Sequence, residues 1–252
     1  MIKVIKVGGK LIENEQVLQD LCNKLSAYYP YCVLVHGGGS MAGQLSARLG
    51  IETRMHEGRR ITDASTLDVT VMAYAGLANK KIVACLQSKR VNACGLSGCD
   101  MGVIVAHKRT VTDIDWGYVG DIDQVKEEVL AFLLEKEIMP VLSPITCSET
   151  GQLLNTNADS VAAAAIALSK RYDTELVFCF DKPGVLENIQ DENSVIPLID
   201  REKYKELLEE KSIHAGMLPK LENAFKTLDA GVKRVRLTSP SDLEGGTVII
   251  GE

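Results

Sequence analysis

Two lysines and several glycine-rich stretches carry most of the chemistry available to this chain. Lys6 precedes Gly8-Gly9 at the end of the apolar run Met1 to Val7, and His36-Gly37-Gly38-Gly39 follows the run Cys32 to Val35. Asn155-Thr156-Asn157-Ala158-Asp159 opens an alanine-rich stretch, and far downstream stands Gly216-Met217-Leu218-Pro219-Lys220. Glycines after a buried strand let backbone N–H groups approach phosphate or carboxylate oxygens. Lysines directed at the same place neutralise the charge of a phosphoryl group in transit. The combination points to a kinase.

Each stretch alone also has a plainer explanation. A lysine before a glycine pair suits the crevice at the C-terminal ends of strands in an open α/β sheet, or a solvated sheet edge. No G-x-x-x-x-G-K-[ST] phosphate loop occurs. Three consecutive glycines each forfeit about 1 kcal/mol against alanine in regular structure. They signal exposed backbone, either a nest for a carboxylate or a tight strand-to-helix turn. His36 reads as structural, because a carboxylate acceptor needs no base. Arg59-Arg60 stands before a helix start, where a guanidinium clamps a substrate carboxylate or is merely exposed. Asn155 and Asn157 either bond a substrate or cap the next helix. Asp159 lies where the helix dipole favours a carboxylate anyway; its functional reading is an anchor for the two lysines. Lys220 sits against the dipole near a helix N-terminus, a modest sign of ligand work. Asp181-Lys182-Pro183-Gly184-Val185-Leu186 either wraps a nucleotide or simply turns the chain.

Holding these groups together requires a sheet. Apolar runs of strand length alternate with longer helix-period segments, the pattern of a mostly parallel sheet covered on both faces. Strands are expected at 2–7, 32–36, 139–143, 175–180, 233–237 and 247–250, with hairpin material at 103–107 and 117–119. Helices are expected over 14–28 with Asn14 as cap, over 40–49, and over 62–90 with Thr62 as cap and a break near Gly76. Further helices are expected over 127–136, 159–169, 200–210 and 217–230. A soft boundary falls near 170–176, with the sheet shared across it.

The 252 residues, 46% of them apolar, suffice for one large domain or two lobes with a sizeable core. With 28 basic against 34 acidic residues the formal charge is −6, which argues against a nucleic-acid partner. Seven cysteines show no C-x-x-C pair and no His at ligand spacing, so buried free thiols in a reducing cytoplasm are expected, with no protein-held metal. Lys3 and Lys6 interrupt the N-terminal apolar run, which excludes a signal peptide. No stretch reads as approaching the ~20 apolar residues of a membrane span, so no membrane partner is expected.

Taken in order, the motifs resemble the amino-acid kinase superfamily end to end, and within it the N-acetylglutamate kinase family of arginine biosynthesis. They are Lys6-Val7-Gly8-Gly9, His36-Gly37-Gly38-Gly39, Gly58-Arg59-Arg60-Ile61-Thr62-Asp63, Gly95-Leu96-Ser97-Gly98, Gly117-Tyr118-Val119-Gly120, the stretch Gly151 to Asp159, and Gly216 to Lys220. The resemblance implies a three-layer αβα sandwich around a mainly parallel eight-stranded sheet. It implies a lobe over 1–174 for the acylated amino acid and one over 175–252 for ATP. Lys6 and Lys220 would stabilise the transferring phosphoryl group, and Asp159 would hold both. Gly8 and Gly9 would meet the ATP phosphates. Gly38 and Gly39 would bind the substrate carboxylate, with Arg60 and Asn155 at its other end. Asp181, Gly184, Leu186 and His214 would line the nucleotide. The implied reaction phosphorylates the γ-carboxylate of an N-acylglutamate, with Mg2+ carried on the phosphates.

The chain starts almost directly on its first strand, without the N-terminal helix that links dimers of arginine-inhibited relatives. A homodimer free of arginine feedback is expected. Arg59, Cys99, Lys182 and His214-Ala215-Gly216 depart from the family's usual residues. The second guanidinium at Arg59 would suit a dicarboxylic acyl group such as succinyl. Alternatives are an N-acetylaminoadipate kinase of lysine biosynthesis, one methylene away, and a non-catalytic sensor on the same fold, which need not keep both lysines. No G-x-G-x-x-G follows the first strand, which disfavours a dinucleotide oxidoreductase.

Overall fold

The computed structural model describes residues 1–111, 113–210 and 217–251. Its large sheet has eight strands. From edge to edge they are β12 (Leu198–Ile199), β14 (Thr247–Ile249), β13 (Arg234–Thr238), β11 (Thr174–Cys179), β1 (Ile2–Val7), β2 (Cys32–His36), β8 (Met139–Leu142) and β5 (Ala93–Leu96). Every neighbouring pair is parallel except β13 and β14. Helices cover both faces, so the expected αβα sandwich is the fold. The central strand β1 lies between β2 and β11, and the C-terminal ends of these three open toward one crevice, the usual ligand position in such sheets.

Side-chain alternation decides which layer each strand residue meets. Along β1, Ile2 and Val4 enter one apolar cluster and Ile5 and Val7 the other; along β2, Val33 and Val35 separate from Cys32 and Leu34 in the same way. By that parity Lys6 faces the layer containing the helices Ala158–Ser169 and Leu218–Asp229. His36 faces the layer of Glu15–Ser26, Gly39–Leu49 and Ala64–Ser88. Ala164 and Ala165 are fully buried, so the alanine-rich helix lies close to the sheet beside Lys6. Both clusters draw residues from either side of position 174, pairing Val4 with Val235 and Ile5 with Val177.

The long helix differs from expectation in three respects. It is not broken at Gly76: Val71–Ala78 winds as a π-helix and the chain continues to Ser88. Its cap is Asp63 rather than Thr62, with the carboxylate accepting from the Thr66 amide at 2.9 Å. By length and composition Ala64–Ser88 is apolar enough to cross a membrane, which corrects the expectation that no stretch approaches a span. Here Val69, Ala73, Ala78, Ile82 and Leu86 are buried in the second cluster, the position of a core helix. Asn14 caps Glu15–Ser26 as expected, accepting from the Val17 amide at 3.1 Å.

Smaller strands frame the crevice. The ribbon β3 (Arg54–His56) and β4 (Arg59–Ile61) carries the arginine pair. A second sheet has the order β10 (Leu153–Asn155), β9 (Ile145–Cys147), β6 (Ile104–Lys108), β7 (Gly120–Val125). Strand β6 matches the expected 103–107, but its antiparallel partner is 120–125, and the expected 117–119 makes only isolated bridges to Thr62 and Asn155. At the other end of the large sheet, Glu175 is fully buried on β11. Lys3 Nζ lies 3.3 Å from it and Arg236 Nε 2.9 Å. Arg234 donates from Nη2 to Glu175 Oε2 at 3.3 Å, while its Nε, 3.2 Å from Oε1, makes no hydrogen bond.

Candidate active site

Lys6 projects from the end of β1 and its Nζ meets Asp159 Oδ1 at 2.6 Å. Asp159 sits in the first turn of Ala158–Ser169, whose cap Asn157 accepts from the Asp159 amide at 3.0 Å. The sequence places both groups: Lys6 by strand parity, Asp159 by its distance from the cap. Lys6, Asp159 and Lys220 line one cavity of about 480 Å³ together with Phe180, Arg59 and Lys226. Lys220 Nζ lies 5.8 Å from the centroid of the Phe180 ring. The two lysines, more than two hundred residues apart in sequence, thus share one cavity.

A second cavity of about 340 Å³ adjoins the first and shares Lys6, Arg59 and Asn157 with it. It is lined by Gly8, Gly9, Gly38, Gly39, Arg60 and Asn155, among others. Here the glycine runs touch: a methyl at Gly9 would lie 2.7 Å from Gly38 N, while Gly8 and Gly39 have no atom within 4 Å of that position. Gly8 and Gly39 therefore present backbone to open space, and Gly9 lets two loops meet. Gly38 caps the helix Gly39–Leu49 with no side-chain cap bond, so no capping side chain occupies the first-turn amides where Gly38 and Gly39 line the cavity.

Arg60 donates to the Gly39 carbonyl at 2.9 Å and to Thr53 Oγ1 at 3.1 Å. Asn155 is almost fully buried and donates from Nδ2 to Thr62 Oγ1 at 2.9 Å, which orients its carboxamide. Thr62 is thus a support for Asn155, not a helix cap. His36 is fully buried, and burial lowers its pKa to about 4, so it stays neutral and is no base for solvent-borne chemistry.

Around the two cavities stand Lys6, Arg59, Arg60, Arg109, Lys220 and Lys226, with Asp159 the one acidic residue among the described lining residues. In a chain of formal charge −6 this is a concentrated positive field, suited to polyanionic ligands. Such a lining offers charge neutralisation rather than proton abstraction.

Of the expected site residues, Lys6, Lys220, Asp159, Gly8, Gly9, Gly38, Gly39, Arg60 and Asn155 line these cavities. Asp181, Gly184 and Leu186 are not among the lining residues. Asp181 is exposed beside Phe180, Gly184 packs against Thr247 and Val195, and Leu186 bridges to Val195. His214 lies outside the described residues. Arg109 and Tyr74 line the second cavity without having been anticipated. Arg109 grips Asp121 through Nε at 3.0 Å, and this bond holds the Asp121 carboxyl below its usual range. Its charge is visible in sequence, but the fold alone brings that hairpin to the cavity. Tyr74 has no signal beyond its place in a helical segment.

Among the described residues no group of three or more His, Cys, Asp or Glu is placed to hold a metal ion. The lysines, arginines and glycine backbone lining the two cavities fit phosphates and carboxylates.

Known proteins resemble this chain in sequence and in fold. The chain is 51% identical over 244 residues to the acetylglutamate kinase of Parabacteroides distasonis, covering 96% of each chain. It is 40% identical over 254 residues to that of Methanopyrus kandleri, covering 98% of this chain and all of the other. Among solved structures, one from Streptococcus mutans superposes with a TM-score of 0.78 at 30% identity, covering all of this chain and 99% of that one. The carbamate kinase of Giardia superposes at 0.70 with 15% identity over all of this chain and 99% of the other, a likeness of fold alone. The model of the amino acid kinase family matches residues 1–239, from the strand carrying Lys6 through the helix carrying Lys220, and the chain belongs to that family.

Proposed function

We propose that the protein transfers the γ-phosphoryl group of ATP to the side-chain carboxylate of an N-acyl-L-glutamate, giving an acyl phosphate, as a step of arginine biosynthesis. The observation that carries this reading is Lys6 at the junction of two adjoining cavities, ion-paired with Asp159 at 2.6 Å, with Lys220 lining the first of them. The relatives named acetylglutamate kinase support glutamate as the acceptor.

Lys6 and Lys220 approach the migrating phosphoryl group and neutralise its equatorial oxygens. Asp159 fixes the Lys6 ammonium. Gly8 presents backbone to the nucleotide phosphates, and the amides at Gly38 and Gly39 hold the acceptor carboxylate. Arg60 and Asn155 grip the other end of the acylated amino acid. The carboxylate is already nucleophilic, so positioning and charge carry the catalysis. Mg2+ enters on the phosphates of ATP, since the lining supplies cations and amides rather than carboxylates. All seven cysteines are free, which supports a reducing cytoplasmic setting. The homodimer implied by the resemblance is checked by sedimentation.

The test is an ATP-dependent hydroxylamine trap for acyl phosphate over N-acetylglutamate, N-succinylglutamate and N-acetylaminoadipate. Absence of hydroxamate with every acceptor would end the reading. Arg59 lines both cavities and Arg109 the second, which favours a second carboxylate on the acyl group. A clear preference for the acetyl over the succinyl substrate would remove that variant.

A further inference from the structure

The long helix touches the triple-glycine turn twice, through Tyr74 and through Asn79. In an α-helix, residues five apart turn through roughly 500° and so face about 140° apart. The π-helical segment changes this: the Asn79 amide bonds the Tyr74 carbonyl, which stacks the two residues on one side. The Tyr74 ring lies so close to Gly38 that no β-carbon fits there. Asn79, 1% exposed, reaches His36.

The hydrogen bonds at Asn79 have only one consistent assignment. Its Nδ2 lies 2.9 Å from the Val141 carbonyl, and its Oδ1 accepts from Lys80 Nζ at 3.0 Å. The second Nδ2 hydrogen points to His36 Nε2 at 3.1 Å, which must then be an acceptor. The imidazole proton therefore sits on Nδ1, 2.8 Å from the Gly37 carbonyl, and donates to it. Gly95 is explained by the same unit, because a methyl there would overlap Asn79 Oδ1.

We propose that Asn79 is a positioning residue: acting through His36, it fixes the Gly37 carbonyl and thereby the direction in which the Gly38 and Gly39 amides face the acceptor carboxylate. This rests on the kinase reading above. Neither Asn79 nor the His36 ring touches the substrate; both set the turn that does.

The experiment compares wild type with Asn79→Ala, Asn79→Asp and, as a control on the same helix, Ile82→Val, by hydroxamate kinetics and thermal melting. Asn79→Ala should raise KM for the N-acylglutamate roughly tenfold, the scale of one carboxylate hydrogen bond, with KM for ATP little changed. Ile82→Val should lower the melting temperature without that split. Asn79→Asp supplies only an acceptor, so His36 can donate to both the new carboxylate and the Gly37 carbonyl only as the imidazolium. Lys80, the charged neighbour facing the ring, opposes that protonation. The acceptor KM of this variant should therefore improve as pH falls, relative to wild type. An unchanged acceptor KM in Asn79→Ala, a pH profile of Asn79→Asp parallel to wild type, or unfolding of both variants would overturn the proposal. A wild type that forms no hydroxamate would instead overturn the kinase reading.

Discussion

Adjacent glycines at the first strand end should respond to alanine in opposite ways. At Gly9 the added methyl would stand 2.7 Å from Gly38 N and 2.8 Å from Gly38 Cα, both backbone atoms that cannot rotate away. Ordinary contact is about 3.5 Å or more, so one loop must give by roughly 0.8 Å. Overpacking of this kind costs about 1–3 kcal/mol, and in a chain of this size each kcal/mol lowers Tm by about 2–4 °C. A displacement approaching 1 Å between reacting groups costs on the order of 10²-fold in rate. Gly9→Ala should therefore lose several degrees and most of its kcat. At Gly8 the methyl meets no protein atom within 4 Å and points into the second cavity beside Lys6. Gly8→Ala should melt with wild type, yet its KM for ATP should rise about tenfold, the equivalent of one phosphate–amide contact. Differential scanning fluorimetry with hydroxamate kinetics reads both effects. A Gly8→Ala enzyme with wild-type KM and kcat, or a Gly9→Ala enzyme with wild-type Tm and rate, would refute the reasoning.

Lys6→Met and Lys220→Met should each lower kcat by roughly 10²–10³ with smaller effects on KM, since the charges act chiefly on the transition state; steady-state kinetics decide. Glu175→Ala leaves the buried Arg236 without its carboxylate and Lys3 with only the more exposed Glu244 at 2.7 Å, and should cost about 3–5 kcal/mol in urea unfolding. A loss under about 1 kcal/mol would mean the cluster is not held as described. Asp63→Ala removes the cap of the long helix and should cost about 1 kcal/mol at neutral pH. The Thr66 amide holds the Asp63 carboxyl below its ordinary range. A depressed folded value means the stabilisation is present above the unfolded value and lost as pH falls through the folded one. The gap between wild type and Asp63→Ala should accordingly close in acid, as urea midpoints at pH 7 and pH 3 would reveal.

Much of the site can be read from sequence because its signals are local. Lys6 and the glycine pair share one strand end, and Asp159 follows a cap by two residues, so strand parity and helix geometry place them unaided. The strands β1, β2, β8, β11 and β13 follow from apolar runs of strand length. Residues whose roles depend on distant partners are not legible. Arg109 enters the cavity because a hairpin folds over it, and Thr62 is buried beneath Asn155 instead of capping a helix. Gly76 suggests a break, but the helix absorbs it by widening its turn. Strands of three residues, such as β4, β9 and β10, lack enough length for a period to show. The ion cluster at Glu175 reads in sequence as isolated charges on three separate strands.

The order of strands across the large sheet has a consequence for synthesis. The second strand to leave the ribosome supplies one neighbour of β1, but the other, Thr174–Cys179, follows about 170 residues after it. Through most of translation the nascent chain carries an open, unpaired flank on the very strand that bears Lys6, and Lys3 waits there without Glu175. Closure must come late and over long sequence separations, which slows folding and leaves the growing polypeptide exposed to edge-to-edge association.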